Sequence, residues 1–239
     1  MRSITQIHEI ELSSLCNLAC VYCPSPNLKR PKIHMDWSTY LRALECVGRF
    51  CSQGTQGELA LTGVGEALLH PRFAEAVKLA RACIGPDRPL TFSTNGILLS
   101  DDLLRQIKPH NPEVYVSLHR PEVAGPAVQR LRAHGMKANV NAGFATSALN
   151  WVGEVDWMVS HPPIICEYLR SGWCVVRADG TVGTCCWDAE SESGRIGTIW
   201  SDPAGWYTAP HAACDGCSLS VPEEMKSGRR TYLQEMQHE

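Results

Sequence analysis

The sequence predicts an α/β fold with a parallel sheet, followed by a smaller region of different pattern. Three observations lead to this prediction. Short apolar runs alternate with helical patterns through roughly the first 150 residues, and turn residues follow the runs. After about residue 160 the alternation gives way to a hairpin pattern and loop-like sequence. Alternating strands and helices imply parallel strands joined by right-handed crossovers. The sheet is therefore either an open doubly wound sheet or part of a barrel.

The pattern gives five strands and four helices in the first part of the chain. Five clear strands are too few for an eight-stranded barrel, so we expect a truncated β/α barrel of five to six strands. Ser38 and Asp101 are the expected N-caps, and Gly135 is an expected helix stop. The predicted strands are 6–12, 58–63, 89–96, 113–119 and 137–144, and the predicted helices are 38–51, 71–83, 101–107 and 122–134.

Parallel α/β sheets bind ligands at the C-terminal ends of their strands, which places the expected site. In the second part, residues 173–187 read as a hairpin around Asp179 and Gly180. We therefore divide the chain into residues 1–160, which hold the partial barrel, and residues 161–239, which hold a small hairpin-containing extension.

Composition narrows the class of protein. The 239 residues are 44% hydrophobic and carry a net charge of −3, without the basic excess of a general nucleic-acid or membrane surface. A small nucleotide substrate remains compatible with this charge. No apolar run is long enough to span a bilayer, and the N-terminus lacks the apolar core of a signal peptide. We expect a cytoplasmic protein without a membrane partner.

Twelve cysteines form clumps, at positions 16–23 and 166–217, with three more on helical stretches. Metal ligation in a reducing compartment fits this clumping better than a disulfide scaffold. Cys46, Cys51 and Cys83 lie on the predicted helices and are interpreted as buried small hydrophobes.

The first clump lies on the loop that directly follows the first strand. Cys16, Cys20 and Cys23 have the spacing C-x3-C-x2-C. Three thiolates on one tight loop can bind three irons of a [4Fe–4S] cluster, which leaves the fourth iron open to a small molecule. A structural zinc site usually takes four protein ligands with a different spacing.

The loop "CNLACVYC", with Tyr22 before its last cysteine, resembles the signature of radical S-adenosylmethionine (radical SAM) enzymes. "GVGEAL" at 63–68 is similar to the family motif that holds the methionine amino group, with Val64 in place of one family glycine. "STNG" at 93–96 and "VSLH" at 116–119 match family positions near the ribose and carboxylate. The resemblance implies these cofactor-binding residues: Tyr22, Gly63, Gly65, Glu66, Ser93, Asn95 and Ser117.

The resemblance also implies the chemistry. The open iron would chelate S-adenosylmethionine, and one electron from the cluster would cleave it to methionine and a 5′-deoxyadenosyl radical. That radical removes a hydrogen atom from an inert C–H bond, and the substrate is then either oxidised or rearranged. An external one-electron donor such as flavodoxin or ferredoxin would be needed, and the protein would position and shield the cofactors.

The second clump resembles the twitch or truncated SPASM extension of this family, which binds one auxiliary [4Fe–4S] cluster. The resemblance implies Cys166, Cys185, Cys214 and Cys217 as its ligands, so two clusters are expected in all. A zinc ribbon is the rival interpretation. Cys174 is either a buried apolar residue or a replacement for Cys166. We interpret Cys186 as a spare, because it would point away from Cys185 on a strand.

The sequence does not identify a substrate. His119 and Arg120 follow the fourth strand and are possible substrate contacts, whereas the basic run at 29–32 is expected to be solvated. A small polar substrate is favoured, as in the aminocyclitol dehydrogenases of this family, because only about fifteen residues precede Cys16. The alternatives are isomerisation or other modification of an amino-acid-decorated nucleobase or nucleotide, modification of a ribosomal peptide, and a non-enzymatic iron–sulfur electron carrier.

Overall fold

A computed structural model describes residues 1–20, 23–55, 57–118, 120–141, 167–186, 188, 192–211 and 214. Four residues implicated by the sequence lie outside this described part, namely Tyr22, His119, Cys166 and Cys217. No helix of the described part is both long and apolar enough to cross a bilayer.

The centre of the fold is a sheet in the order β6-β5-β4-β3-β2-β7-β8-β9. Its first six strands run parallel, and β7, β8 and β9 pair antiparallel. A separate two-stranded ribbon pairs β1 with β10. The strands are β1 (Arg2–Ser3), β2 (Gln6–Ile10), β3 (Leu59–Ala60), β4 (Leu90–Thr94), β5 (Glu113–Ser117), β6 (Ala138–Asn141), β7 (Trp173–Val176), β8 (Thr181–Gly183), β9 (Arg195–Thr198) and β10 (Tyr207–Thr208).

This arrangement confirms the predicted fold class, an α/β fold with a parallel sheet of five to six strands. The sixth parallel strand is an addition, because it comes from the predicted hairpin. β7 pairs directly with β2, while β8 turns back antiparallel to it around Asp179 and Gly180. The hairpin therefore belongs to the same sheet as the N-terminal strands.

Five α-helices are described, and the buried residues of the first four pack against the sheet in one hydrophobic core. The expected N-caps are wrong by one or two residues. Asp36 caps α1 by accepting a hydrogen bond from the Ser38 amide at 3.0 Å, and Ser100 caps α3. Gly135, with φ +67°, follows the end of α4 as expected. The helices are α1 (Trp37–Ser52), α2 (Phe73–Ile84), α3 (Asp101–Ile107), α4 (Pro121–Ala133) and α5 (Glu167–Ser171).

A β-bulge at position 8 sets which side chains of β2 face the core. Ile7 pairs with Cys174, but the next register pair is Glu9 with Val175, so His8 is the extra residue. The bulge interrupts the regular alternation of side chains between the two faces of the sheet. Ile7 and Ile10 both lie fully buried in the hydrophobic core, and Glu9 turns to the opposite face.

A buried ion pair joins the first strand to the segments around it. Arg30 donates to the two carboxylate oxygens of Glu11 at 2.7 and 2.8 Å, and the side chains are only 10% and 4% exposed. Glu11 also accepts from the Val64 amide at 3.0 Å and the Ala178 amide at 2.9 Å. One carboxylate thus connects the segment after the cysteine loop, the loop after β3 and the hairpin. The expectation that Arg30 belongs to a solvated run is wrong.

We expect Arg30→Met to lower the free energy of unfolding by about 3–5 kcal/mol, because it leaves the Glu11 carboxylate buried without its counter-charge. Urea denaturation of the anaerobic protein measures the change. Arg105→Met is the matched control, since the side chains of the Arg105–Asp102 pair are 64% and 81% exposed, and it should cost about 1 kcal/mol or less. Equal losses for the two variants would contradict the role given to the buried pair.

Candidate active site

A cleft of about 240 Å³ opens at the C-terminal ends of β2, β3, β4 and β5. It is lined by the three cysteines of the first clump and by every implied cofactor-binding residue that the structure describes. Leu18, Thr62, Val64 and Thr94 complete this side of the cleft. The lining residues that the sequence had singled out are Cys16, Cys20, Cys23, Gly63, Gly65, Glu66, Ser93, Asn95 and Ser117.

The three-cysteine loop presents its thiols to this cleft. A turn in which the Cys23 amide donates to the Cys20 carbonyl shapes the loop, and the Ser25 amide donates to the Cys23 sulfur at 3.5 Å. Burial raises the pKa of the Cys16 thiol, so a bound metal is what would hold it as a thiolate. No disulfide joins the ten cysteines that the structure describes.

The donor set fits an iron–sulfur cluster better than a single metal ion. Within the described residues, no three His, Cys, Asp or Glu side chains converge as ligands of one ion would. In a [4Fe–4S] cluster each thiolate binds a different iron, so three separated sulfurs on one loop are compatible with it.

Glu66 is held rigidly on the wall of the cleft. It is 3% exposed, and its two oxygens accept from the Leu68 amide at 3.2 Å and the Asn95 amide at 2.8 Å. Burial raises the pKa of Glu66, and these hydrogen bonds act in the opposite direction. The Asn95 side chain in turn donates to Asn17 on the cysteine loop at 2.7 Å. The loops after β2, β3 and β4 are therefore joined by side-chain hydrogen bonds.

The two glycines before Glu66 are required by packing inside the protein. A Cβ at Gly65 would lie 2.2 Å from the Ser13 carbonyl oxygen and 2.5 Å from that of Leu15. A Cβ at Gly63 would lie 2.3 Å from Cγ of Glu11. The absence of a side chain at these two positions lets this loop lie against Glu11 and the start of the cysteine loop.

The opposite side of the cleft is formed by residues that the sequence analysis did not assign to it: Glu9, Tyr168 and Cys186. The Tyr168 hydroxyl hydrogen bonds with Cys186, and burial raises the pKa of Tyr168. Burial also raises the pKa of Glu9 to about 8, with a smaller contribution from the nearby Glu11 carboxyl. Regular alternation would place Glu9 on the same face as Ile7, so no local signal revealed it.

The cysteines of the second clump occupy different surroundings. Cys174 is fully buried in the hydrophobic core, where it pairs with Ile7, which fits a buried apolar residue. Cys186 lines the main cleft. Together with Cys185 it also lines a smaller cavity beside Arg30.

His211 brings the two ends of the described second clump together. The Thr184 hydroxyl hydrogen bonds with Nε2 of His211 at 2.9 Å, and the His211 carbonyl accepts from the Cys214 amide at 2.8 Å. Because Thr184 precedes Cys185, this contact holds the segments of Cys185 and Cys214 side by side. Both cysteines are buried.

Arg120 and the three cysteines of the helices do not line the cleft. Arg120 is exposed before the first residue of α4 and is not among the lining residues. Cys46 is fully buried, as expected for a small hydrophobe. Cys51 and Cys83 are only half-buried, and each makes a polar contact, with Arg88 and with the Leu44 carbonyl respectively.

Two curated relatives resemble parts of this chain. A tungsten-containing aldehyde ferredoxin oxidoreductase cofactor-modifying protein from Pyrococcus furiosus is 31% identical over 101 residues, covering 41% of this chain and 26% of the relative. A GTP 3′,8-cyclase from Synechococcus sp. (strain CC9902) is 32% identical over 140 residues, covering 56% of this chain and 36% of the relative. The matches thus span about a quarter and a third of these relatives.

Two solved structures share the fold across nearly the whole chain. BtrN in complex with AdoMet and 2-DOIA has a TM-score of 0.68 at 21% identity, covering 97% of this chain and 88% of BtrN. Native anSMEcpe with bound AdoMet has a TM-score of 0.63 at 16% identity, covering 93% of this chain and 86% of that one. The family model of the radical SAM superfamily matches residues 10–140, more than half of the chain. The chain belongs to the radical SAM superfamily.

Proposed function

We propose that this enzyme reductively cleaves S-adenosylmethionine and uses the resulting radical to remove a hydrogen atom from a small polar substrate. The observation that carries the proposal is the single cleft that contains the three-cysteine loop, the Glu66 loop and the ends of β4 and β5. When bound, a [4Fe–4S] cluster with S-adenosylmethionine would supply the 5′-deoxyadenosyl radical. The chain's own residues would bind, orient and shield these groups.

The proposed roles follow from position in the cleft. Cys16, Cys20 and Cys23 are the cluster ligands. Glu66 receives the methionine ammonium, since a carboxylate that already accepts two amide hydrogen bonds keeps further lone pairs for a cation. The other described residues proposed to contact S-adenosylmethionine are Gly63, Gly65, Ser93, Asn95 and Ser117. Tyr22 is proposed from the sequence resemblance alone.

We further propose an auxiliary [4Fe–4S] cluster in the region 161–239, with Cys166, Cys185, Cys214 and Cys217 as ligands. The contact between Thr184 and His211 supports this set, because it holds the segments of Cys185 and Cys214 together. Such a cluster beside the cleft could accept the second electron of an oxidation. Electrons for the first cluster would come from a flavodoxin or ferredoxin in a reducing cytoplasm.

The proposed substrate is a small polar molecule that is oxidised at an alcohol carbon. The fold matches that of BtrN, seen with AdoMet and 2-DOIA, over most of both chains. This plan resembles that of the aminocyclitol dehydrogenases of the superfamily.

A nucleotide substrate is the second candidate, favoured by the 32% identity to a GTP 3′,8-cyclase over 140 residues. Incubation with reductant, S-adenosylmethionine and deuterated substrates separates the two candidates. Label transfer to 5′-deoxyadenosine from a deuterated cyclitol, and none from deuterated GTP, would support the first.

Changing Cys16, Cys20 and Cys23 together to alanine should lower the iron content from roughly eight to roughly four per chain. It should also abolish anaerobic formation of 5′-deoxyadenosine, measured by liquid chromatography. Cys83→Ala is the matched control, since this half-buried cysteine lies on α2 outside the cleft lining. Unchanged iron in the triple variant would show that the loop does not hold the first cluster.

Changing Cys185 and Cys214 together to alanine should also leave roughly four irons per chain. These irons belong to the cluster held by the loop at 16–23. The electron paramagnetic resonance spectrum of the reduced variant should still shift when S-adenosylmethionine is added, because the loop at 16–23 is intact. Retention of roughly eight irons would refute the auxiliary set.

A further inference from the structure

The carboxyl of Glu9 lines the cleft and has no role in the proposed binding of S-adenosylmethionine. It lies on β2, 8% exposed, and lines the side of the cleft that Tyr168 and Cys186 form. The bulge at His8 puts it there, since the register of β2 with β7 otherwise points this position toward the core. Bulges often re-aim side chains beside active sites.

The Glu9 carboxyl makes no hydrogen bond to any residue in the described part of the chain. This distinguishes it from the other two carboxylates at this edge of the sheet. Glu66 accepts two backbone amides, and Glu11 accepts Arg30 and two backbone amides. The Glu9 oxygens are not among the fully enclosed polar atoms without a partner, and the residue lines the cleft, so its acceptors are open to a group that enters there.

The charges on the walls of the cleft indicate which chemical group would bind to Glu9. The described lining residues include two carboxyls, Glu9 and Glu66, and contain no lysine or arginine. An anionic substrate would have no counter-charge on these walls, whereas a cation would gain one. An ammonium group placed against a carboxyl also favours its ionised form.

We infer that Glu9 binds a protonated amino group of the substrate, which makes the substrate a small amine and not a neutral polyol or an anion. The inference rests on the proposed function, since it places the amine beside bound S-adenosylmethionine. Glu66 is assigned to the methionine ammonium and Glu9 to the substrate ammonium. Tyr168 and Cys186 supply neighbouring polar groups for the same molecule.

The test compares amines with alcohols of the same size, with S-adenosylmethionine saturating, by anaerobic calorimetry at pH 8.0. The probe pairs are scyllo-inosamine with scyllo-inositol, glucosamine with glucose, and 5′-amino-5′-deoxyadenosine with adenosine. The wild-type protein should bind at least one amine tenfold or more tightly than its alcohol. If no amine exceeds its alcohol, the inference is overturned.

Glu9→Gln should abolish the preference for the amine while its iron content and its Kd for S-adenosylmethionine stay within twofold of wild type. Glu9→Asp keeps the charge and should retain part of the preference, and it replaces Glu9→Gln if that variant does not fold. Glu45→Gln, on the exposed face of α1, is the matched control and should behave as wild type.

Three outcomes of the variants would overturn the inference. The amine preference could persist in Glu9→Gln, or the variant could lose affinity for S-adenosylmethionine, which would assign Glu9 to the cofactor. Its iron content could fall to roughly four, which would assign the carboxyl to support of the auxiliary cluster. Failure of the proposed function is seen separately, because the wild-type protein would then form no 5′-deoxyadenosine.

Discussion

The ion pair between Glu11 and Arg30 is the constraint on which the geometry of the cleft depends. Removing two charges from water costs several kcal/mol for each, so the pair is tolerated only where hydrogen bonds satisfy it. Here the carboxylate accepts two guanidinium hydrogen bonds and two backbone amides. Those donors come from three different segments. The contacts that satisfy the charge therefore also fix the segments relative to β2.

The wall of the cleft is rigid for a related reason. Glu66 accepts the Asn95 amide, and the Asn95 side chain reaches Asn17 on the cysteine loop. Gly65 then lets the Glu66 loop lie against the backbone of Ser13 and Leu15, and the Glu66 amide donates to the Leu15 carbonyl at 2.8 Å. Such a network prepares positions for a ligand before it binds, which reduces the cost of ordering them on binding.

The two sides of the cleft differ in how many of their polar groups form hydrogen bonds within the protein. On the side of Glu66, the polar groups of the loops bind one another. On the side of Glu9, a buried carboxyl is left without a hydrogen-bond partner among the described residues, next to the Tyr168–Cys186 pair. The contrast is what one expects if one side receives a fixed cofactor and the other a substrate that completes the site. The hairpin supplies the second side, because β7 extends the sheet next to β2.

The sequence by itself determined the parallel α/β class, the place of the cysteine loop and the residues that follow the strands, because these depend on local patterns. Strand ends meet at one edge of a parallel sheet, so Cys16, Glu66, Ser93 and Ser117 could be grouped without coordinates. Only the tertiary structure decided the burial of Arg30, the orientation of Glu9 and the pairing of β7 with β2. Each of these depends on a partner distant in the chain, a carboxylate 19 residues away for Arg30 and a strand more than 160 residues away for the bulge. Local periodicity carries no information about such partners.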